Sequence, residues 1–142
     1  MTMNKGYYIT DRGHRFELNP KKILDLHGLD ITELVIPDGV LRLYCYDNKI
    51  KKLIIPEGVK DVYCYNNNLT ELYIPDTLKI LSCSRNLLTK LILPDNILEV
   101  YCHYNNLTDI NIPYSLKRMW CDFNLIGLNP YGNPDTYLTL HI

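Results

Sequence analysis

Four consecutive segments between residues 41 and 116 repeat one phrase at an unbroken period of 19 residues: LRLYCYDNKIKKLIIPEGV, KDVYCYNNNLTELYIPDTL, KILSCSRNLLTKLILPDNI and LEVYCHYNNLTDINIPYSL. A fixed period near 20 residues calls for a solenoid, in which each repeat is one coil that buries its apolar face only against its neighbours. The frame extends both ways. Residues 22–40, KILDLHGLDITELVIPDGV, make a first coil, with Leu29 where later coils carry Asn. A sixth coil starts at Lys117, keeps Met119, Cys121, Asn124 and Ile126, and loses the frame in the turn-rich stretch 129–134. Register then returns: Leu138 lies 19 after Met119 and Leu140 lies 19 after Cys121, which predicts a final strand over 136–142. Residues 1–21 stand outside the repeat. Tyr7 to Thr10 and His14 to Leu18 read as two strands about the Asp11-Arg12-Gly13 turn, a β-hairpin cap for the first open end. The expected organisation is therefore a cap over 1–21 and a solenoid over 22–142, with coils starting at 22, 41, 60, 79, 98 and 117.

The columns of the repeat assign a role to each position. The segment matches L-x-x-L-x-L-x-x-N-x-L. Its third Leu is replaced throughout by Cys45, Cys64, Cys83, Cys102 and Cys121, and its Asn is Asn48, Asn67, Asn86, Asn105 and Asn124. Alternation along a strand sends successive side chains to opposite faces. In Leu43-Tyr44-Cys45-Tyr46 the Leu and Cys therefore point into the coil and the tyrosines point out. A small inward Cys suits a thin core. The Asn side chain donates and accepts, so at the turn after each strand it can satisfy backbone groups that the irregular path leaves unpaired. Prolines 37, 56, 75, 94 and 113 force an extended path on the opposite side, where a 19-residue coil has no room for a long helix. The expected fold is a β-rich solenoid with a parallel sheet on the concave face and an extended, short-turn convex side. Glu33, Lys52, Glu71, Lys90 and Asp109 alternate in sign down one convex column, so stacked neighbours can pair.

On these columns the chain resembles leucine-rich repeat proteins with short coils. Phrases such as VYCYNNNLTEL are similar to those of the leucine-rich repeat proteins of giant amoebal (mimivirus-like) viruses. The Leu-x-Ile-Pro rhythm, as in Leu53-Ile54-Ile55-Pro56, resembles bacterial effector repeats less closely. The resemblance implies a non-enzymatic protein-interaction module acting on a host protein in the cytosol of an infected cell. Cys in the third Leu column, the 19-residue period and the lack of a ligase domain or F-box mean that effector-type ubiquitin-ligase activity is not implied.

Composition excludes several classes. Net charge is -1, with no basic excess to favour nucleic acid or an anionic membrane. No apolar run approaches a membrane span and the start has no signal-peptide core, so the expected location is cytoplasmic. Zinc needs ligands converging on a tetrahedron, and cysteines spaced 19 apart form a line of buried free thiols instead. Cys102 and His103 fall on opposite faces and cannot act as nucleophile and base. His27, His103 and His141 share a column but stand coils apart. No metal, cofactor or catalytic residue is expected. Asn68-Leu69-Thr70 and Asn106-Leu107-Thr108 match a glycosylation acceptor only because the repeat itself contains Asn-Leu-Thr.

The outward strand positions carry the binding expectation. They hold Arg42, Tyr44, Tyr46, Asp61, Tyr63, Tyr65, Ile80, Ser82, Ser84, Glu99, Tyr101, His103, Arg118, Trp120 and Asp122, with Tyr104 and Phe123 at the rim. Eight of the fifteen aromatics lie here, on a face that the core does not need. Tyr, Trp and Arg dominate interface hot spots, whereas tyrosines also suit strands and stack on one another. An open sheet offers a small molecule no deep pocket, and Asp61, Glu99 and Asp122 disfavour single-stranded nucleic acid. Two functions follow: binding of a protein partner by the aromatic face, or a structural, self-assembling role through strand edges. The final strand has no proline and no charge beyond His141, which predicts a homodimer in which two such strands meet antiparallel.

Overall fold

The computed structural model describes the backbone of residues 2–4, 7–122 and 137–141, and side chains over 10–122. Every regular element among them is a strand. The concave face is one seven-stranded parallel sheet. In coil order its strands are β4 (Ile23–Asp25), β5 (Arg42–Tyr44), β7 (Asp61–Tyr63), β9 (Ile80–Ser82), β11 (Glu99–Tyr101), β13 (Arg118–Asp122) and β14 (Tyr137–His141). Each neighbouring pair is offset by one 19-residue period, as in Leu43 beside Val62 and Val62 beside Leu81. The frame that returns near the end pairs Met119 with Leu138 and Cys121 with Leu140, as the spacing predicts. The hydrogen-bond ladder runs on past the strands: the amides of Cys45, Cys64, Cys83 and Cys102 each donate to a carbonyl one coil on, at 2.8–2.9 Å.

The convex side is extended. It carries two short parallel ladders, β6 (Lys52–Ile54) with β8 (Glu71–Tyr73) and β10 (Lys90–Leu91) with β12 (Asp109–Ile110). Between the two sheets the inward columns interdigitate as one core. Leu43, Cys45, Ile50, Leu53 and Val59 of a single coil are all within 4% of full burial, alongside Ile55. The alternating charge column lies on these convex strands. Lys52 and Glu71 pair at 2.8 Å. Lys90 and Asp109 are also in register but form no ion pair among the described residues, since exposed ion pairs gain too little to hold two long side chains in place.

The turn after each concave strand is built on the asparagine column. Asn86 Nδ2 donates to the carbonyls of Cys83 (3.0 Å), Ser84 (3.3 Å) and, one coil back, Cys64 (3.1 Å), while its Oδ1 accepts from the Leu69 amide at 2.9 Å. Asn48, Asn67 and Asn105 repeat this bridge, and Asn48 takes two amides, of Leu29 and Ile31. Asn124 lies outside the described residues. The residue before each of these Asn adopts the left-handed conformation: Asp47, Asn66, Arg85 and Tyr104 have φ between 53° and 56°, and Gly28, before Leu29 in the same frame, has φ 65°. Gly, Asp and Asn tolerate that region, whereas Arg85 and Tyr104 do so at a cost of roughly 1–2 kcal/mol each.

At the N-terminal end the expected hairpin is part of a three-stranded antiparallel sheet, β1 (Thr2–Asn4), β2 (Tyr7–Ile9) and β3 (Arg15–Phe16). The added strand is three residues long and has no alternating pattern, so it left no signal to read. Phe16 and Leu18 pack on the solenoid core. Asp11 accepts from the amide and hydroxyl of Thr32 (3.0 and 2.7 Å), and Arg12 Nε donates to the Asp30 carbonyl at 3.0 Å.

Two tests follow from these contacts. Replacing Asn86 with Leu leaves amides and carbonyls of two coils unpaired and is expected to lower stability by about 1–3 kcal/mol, read as a shift of the denaturant midpoint; an unchanged midpoint removes the ladder as a stabilising element. Partial burial raises the Asp11 pKa, but the hydrogen bonds from Thr32 and Glu33 and the nearby Arg12 outweigh it and hold the value below normal. Its contribution is complete at neutral pH and disappears as the pH falls through that depressed value. Hydrogen exchange of β2 and β3 should therefore accelerate in acid before that of β7 and β9, and Asp11→Asn should remove the difference.

Candidate functional site

The concave face is assembled from the outward position of every parallel strand, so stacking at one strand spacing brings residues 19 apart into contact. The result is two aromatic clusters. In the first, His27 stacks on Tyr46 (centroids 4.8 Å), Tyr46 on Tyr65 (4.5 Å, 7° between planes) and Tyr44 on Tyr63 (4.9 Å). In the second, Tyr101 meets Trp120 edge to face at 5.3 Å, and His103 contacts both Tyr104 and Trp120. The Arg85 guanidinium lies over the Tyr104 ring at 4.5 Å. Rings in such geometry attract each other beyond simple burial, so the stacking use of these aromatics is real. Trp120 and Tyr104 nevertheless remain 46% and 44% exposed. Phe123 lies outside the described residues.

Coil four separates the clusters. It presents Ser82 and Ser84 where its neighbours present Tyr63 and Tyr65 on one side and Tyr101 and His103 on the other, and Ile80 between Asp61 and Glu99. The flanking strands are two spacings apart, roughly 10 Å. The small serines thus leave a slot one coil wide between the two groups of rings, with half-buried Ser82 at its base. Ser84 Oγ lies 3.1 Å from His103 Nδ1, a contact that resembles a nucleophile and its base. Ser84 is only 5% exposed, however, so its oxygen is not offered to a substrate.

The charges on this face are used internally. Arg42 donates to Asp61 Oδ2 through Nε (2.8 Å) and Nη2 (2.6 Å). Glu99 accepts from Arg118 (3.0 Å) and from the Tyr101 hydroxyl (3.1 Å). Asp122 turns onto the backbone and takes the amides of Tyr104 and Asn105, where earlier coils use a carbonyl of the next coil. Burial pushes the Tyr63 phenol up, helped by Asp61; burial and the Glu99 hydrogen bond do the same for Tyr101. Both stay protonated donors. The face is therefore aromatic, hydroxyl-rich and nearly neutral.

The cysteine ladder lies on the other side of the same strands. All five thiols are free and buried, and desolvation raises every one, Cys121 to about 11. A thiol so raised carries negligible thiolate at neutral pH and is a poor nucleophile. Among the described residues no group of three or more His, Cys, Asp or Glu could hold a metal.

Sequence reasoning placed the concave residues on one face but did not foresee how their rings divide, nor that Ser82 and Ser84 make a gap. The signal was present in the Ser-Cys-Ser that stands where three other coils have Tyr-Cys-Tyr or Tyr-Cys-His.

In-register parallel strands, a Leu/Cys core and a bridging Asn ladder define a parallel β-solenoid whose 19-residue coils follow leucine-rich-repeat spacing. No known family's sequence profile matches the chain, and no curated protein does. Among solved structures it is similar to a leucine-rich repeat protein from Bacteroides ovatus ATCC 8483, with 15% identity and a TM-score of 0.28, over 79% of this chain and 48% of that one. The chain thus spans about half the length of the protein it matches. At that identity and TM-score the class rests on the ladders described above.

Thiol accessibility gives a direct check. In the native state at neutral pH, iodoacetamide should modify Cys45, Cys64 and Cys83 only at the rate of unfolding, and all of them promptly in denaturant, as read by intact mass. Rapid native labelling of any one would restore a chemical role for the ladder.

Proposed function

We propose that this chain is a non-enzymatic protein-interaction module whose concave face binds a protein partner. The observation that supports it is the split aromatic face: two ring clusters, neutral in charge, flanking a slot one coil wide. Such a face costs less to desolvate than one bearing unpaired charges, because its acids and bases already pair with one another. Its exposed Trp120 and Tyr104 are of the types that supply hot spots. A partner side chain, apolar or aromatic and one ring thick, enters the slot between Tyr63/Tyr65 and Tyr101/His103, and its polar end meets Ser82. Resemblance to the repeat proteins of giant amoebal viruses supports a host protein as the partner and the host cytosol as the place. The alternative is a structural, self-assembling role through strand edges; it draws on β14 being the last strand of the seven-stranded sheet.

Two variants test this reading. Tyr44→Ala/Tyr63→Ala/Tyr101→Ala strips rings that the core does not use, so the fold persists and specific partners are lost from pull-downs. Ser82→Tyr leaves every ring in place but fills the slot; it is expected to weaken partner capture at least tenfold with an unchanged melting curve. Recovery of the same partners at wild-type yield by both variants refutes the proposal.

A further inference from the structure

The back of the solenoid carries a feature independent of the concave face. In each Leu-x-Ile/Leu-Pro segment of the first four coils the residue at x points away from the core. Val35, Ile54, Tyr73 and Ile92 consequently form an outward apolar column, 62%, 59%, 52% and 66% exposed. Between the first two coils the column opens into a groove of about 800 Å³, walled by Leu34, Val35, Ile36, Ile54 and Pro56. Two residues before this column, on the same face, runs the charge column Glu33, Lys52, Glu71, Lys90. At its centre Lys52 pairs with Glu71 and sits 5.1 Å above the Tyr73 ring, whose hydroxyl also donates to Glu71.

An apolar column beside a column of alternating sign is complementary to itself under one operation. A two-fold axis parallel to the strands, passing between the second and third coils, keeps each column opposite its own copy and reverses the coil order. It sets Lys52 over Glu71 of a second copy and Glu33 over Lys90, each contact occurring twice. It also sets Ile54 over Tyr73 and Val35 over Ile92, so apolar meets apolar. Over the first four coils the alternation is even, so an axis between two coils brings opposite charges together, where a column of one sign would repel; Asp109 and Asn111 of the fifth coil lie beyond the overlap. We propose that the occupant of this back face is a second copy of the chain, joined in a two-fold, back-to-back dimer through the Val35–Ile54–Tyr73–Ile92 column. Four coils at about 4.8 Å give a face only about 15–20 Å tall, short of the roughly 800 Å² per partner of a standard stable interface. The dimer is therefore weak and concentration-dependent. It leaves both concave faces uncovered and pointing in opposite directions, so one dimer bridges two partner molecules or gains avidity on a partner that presents two sites.

Sedimentation equilibrium of the full chain, from low micromolar to near-millimolar concentration, tests this. The wild-type mass should rise towards that of two chains. Ile54→Glu/Ile92→Glu replaces exposed side chains, so its circular dichroism should match wild type while its dissociation constant rises at least tenfold. The four-site inversion Glu33→Lys/Lys52→Glu/Glu71→Lys/Lys90→Glu keeps the alternation and should dimerise by itself, yet fail to form mixed dimers with wild type. A wild-type chain that stays monomeric throughout overturns the proposal. So does an association that survives Ile54→Glu/Ile92→Glu but is abolished by Thr139→Pro, which would place the contact on β14 instead.

Discussion

At the turn after each described concave strand from β5 to β11, one side-chain amide ties the coil to the previous one, beside the backbone ladder of the sheet. The ladder asparagine ties its own turn through the carbonyl three residues back, and it ties the neighbouring coil through a carbonyl 22 residues back and an amide 17 residues back. Those groups lie where the path leaves the concave sheet and has no strand to pair with. Buried amides and carbonyls without partners would cost more than the coil's modest core returns. The bridge also fixes the register: a one-residue slip between neighbouring concave strands would put the Asn out of reach and turn the inward side chains of that strand to the other face. The left-handed residue before each Asn and the small Cys two residues after the inward Leu are accommodations to the same demand.

With the coils locked in register, everything on the surface becomes a column. The concave column inherits tyrosines that stack one coil apart, and it inherits charges that find partners one coil apart. A column of contacts is therefore partly self-satisfied by construction. What distinguishes a binding face from a decorated sheet is then an interruption of the column. Coil four supplies one, with two serines where rings would otherwise continue and an isoleucine where its neighbours carry acids. The convex column follows the same logic: an alternation of sign that one coil can use only partly is available to a second chain.

Much of this was legible along the chain. The period, the inward Leu and Cys columns, the outward tyrosines and the frame recovered at Leu138 follow from spacing and alternation, which act locally and repeat six times. The bridging role of the asparagines was also readable, because a recurring buried amide in a turn has few other uses. The convex apolar column was equally visible as the x of Leu-x-Ile-Pro, but its residues look like core until the alternation is carried round the coil. The third strand of the N-terminal sheet was not visible, because three residues carry no period.

The amino-acid sequence by itself determined the coil, the register and the face on which each side chain lies, since these depend on intervals of 2 and 19 residues that the chain states openly. The tertiary structure alone decided how the columns use one another. Arg42 turns to Asp61 and Arg118 to Glu99, while Asp122 bends back onto two amides; the rings close into two groups with a slot between them. Those choices depend on rotamers competing for partners about 5 Å away in space and 19 residues away in sequence. That competition has no expression in the order of residues along the chain.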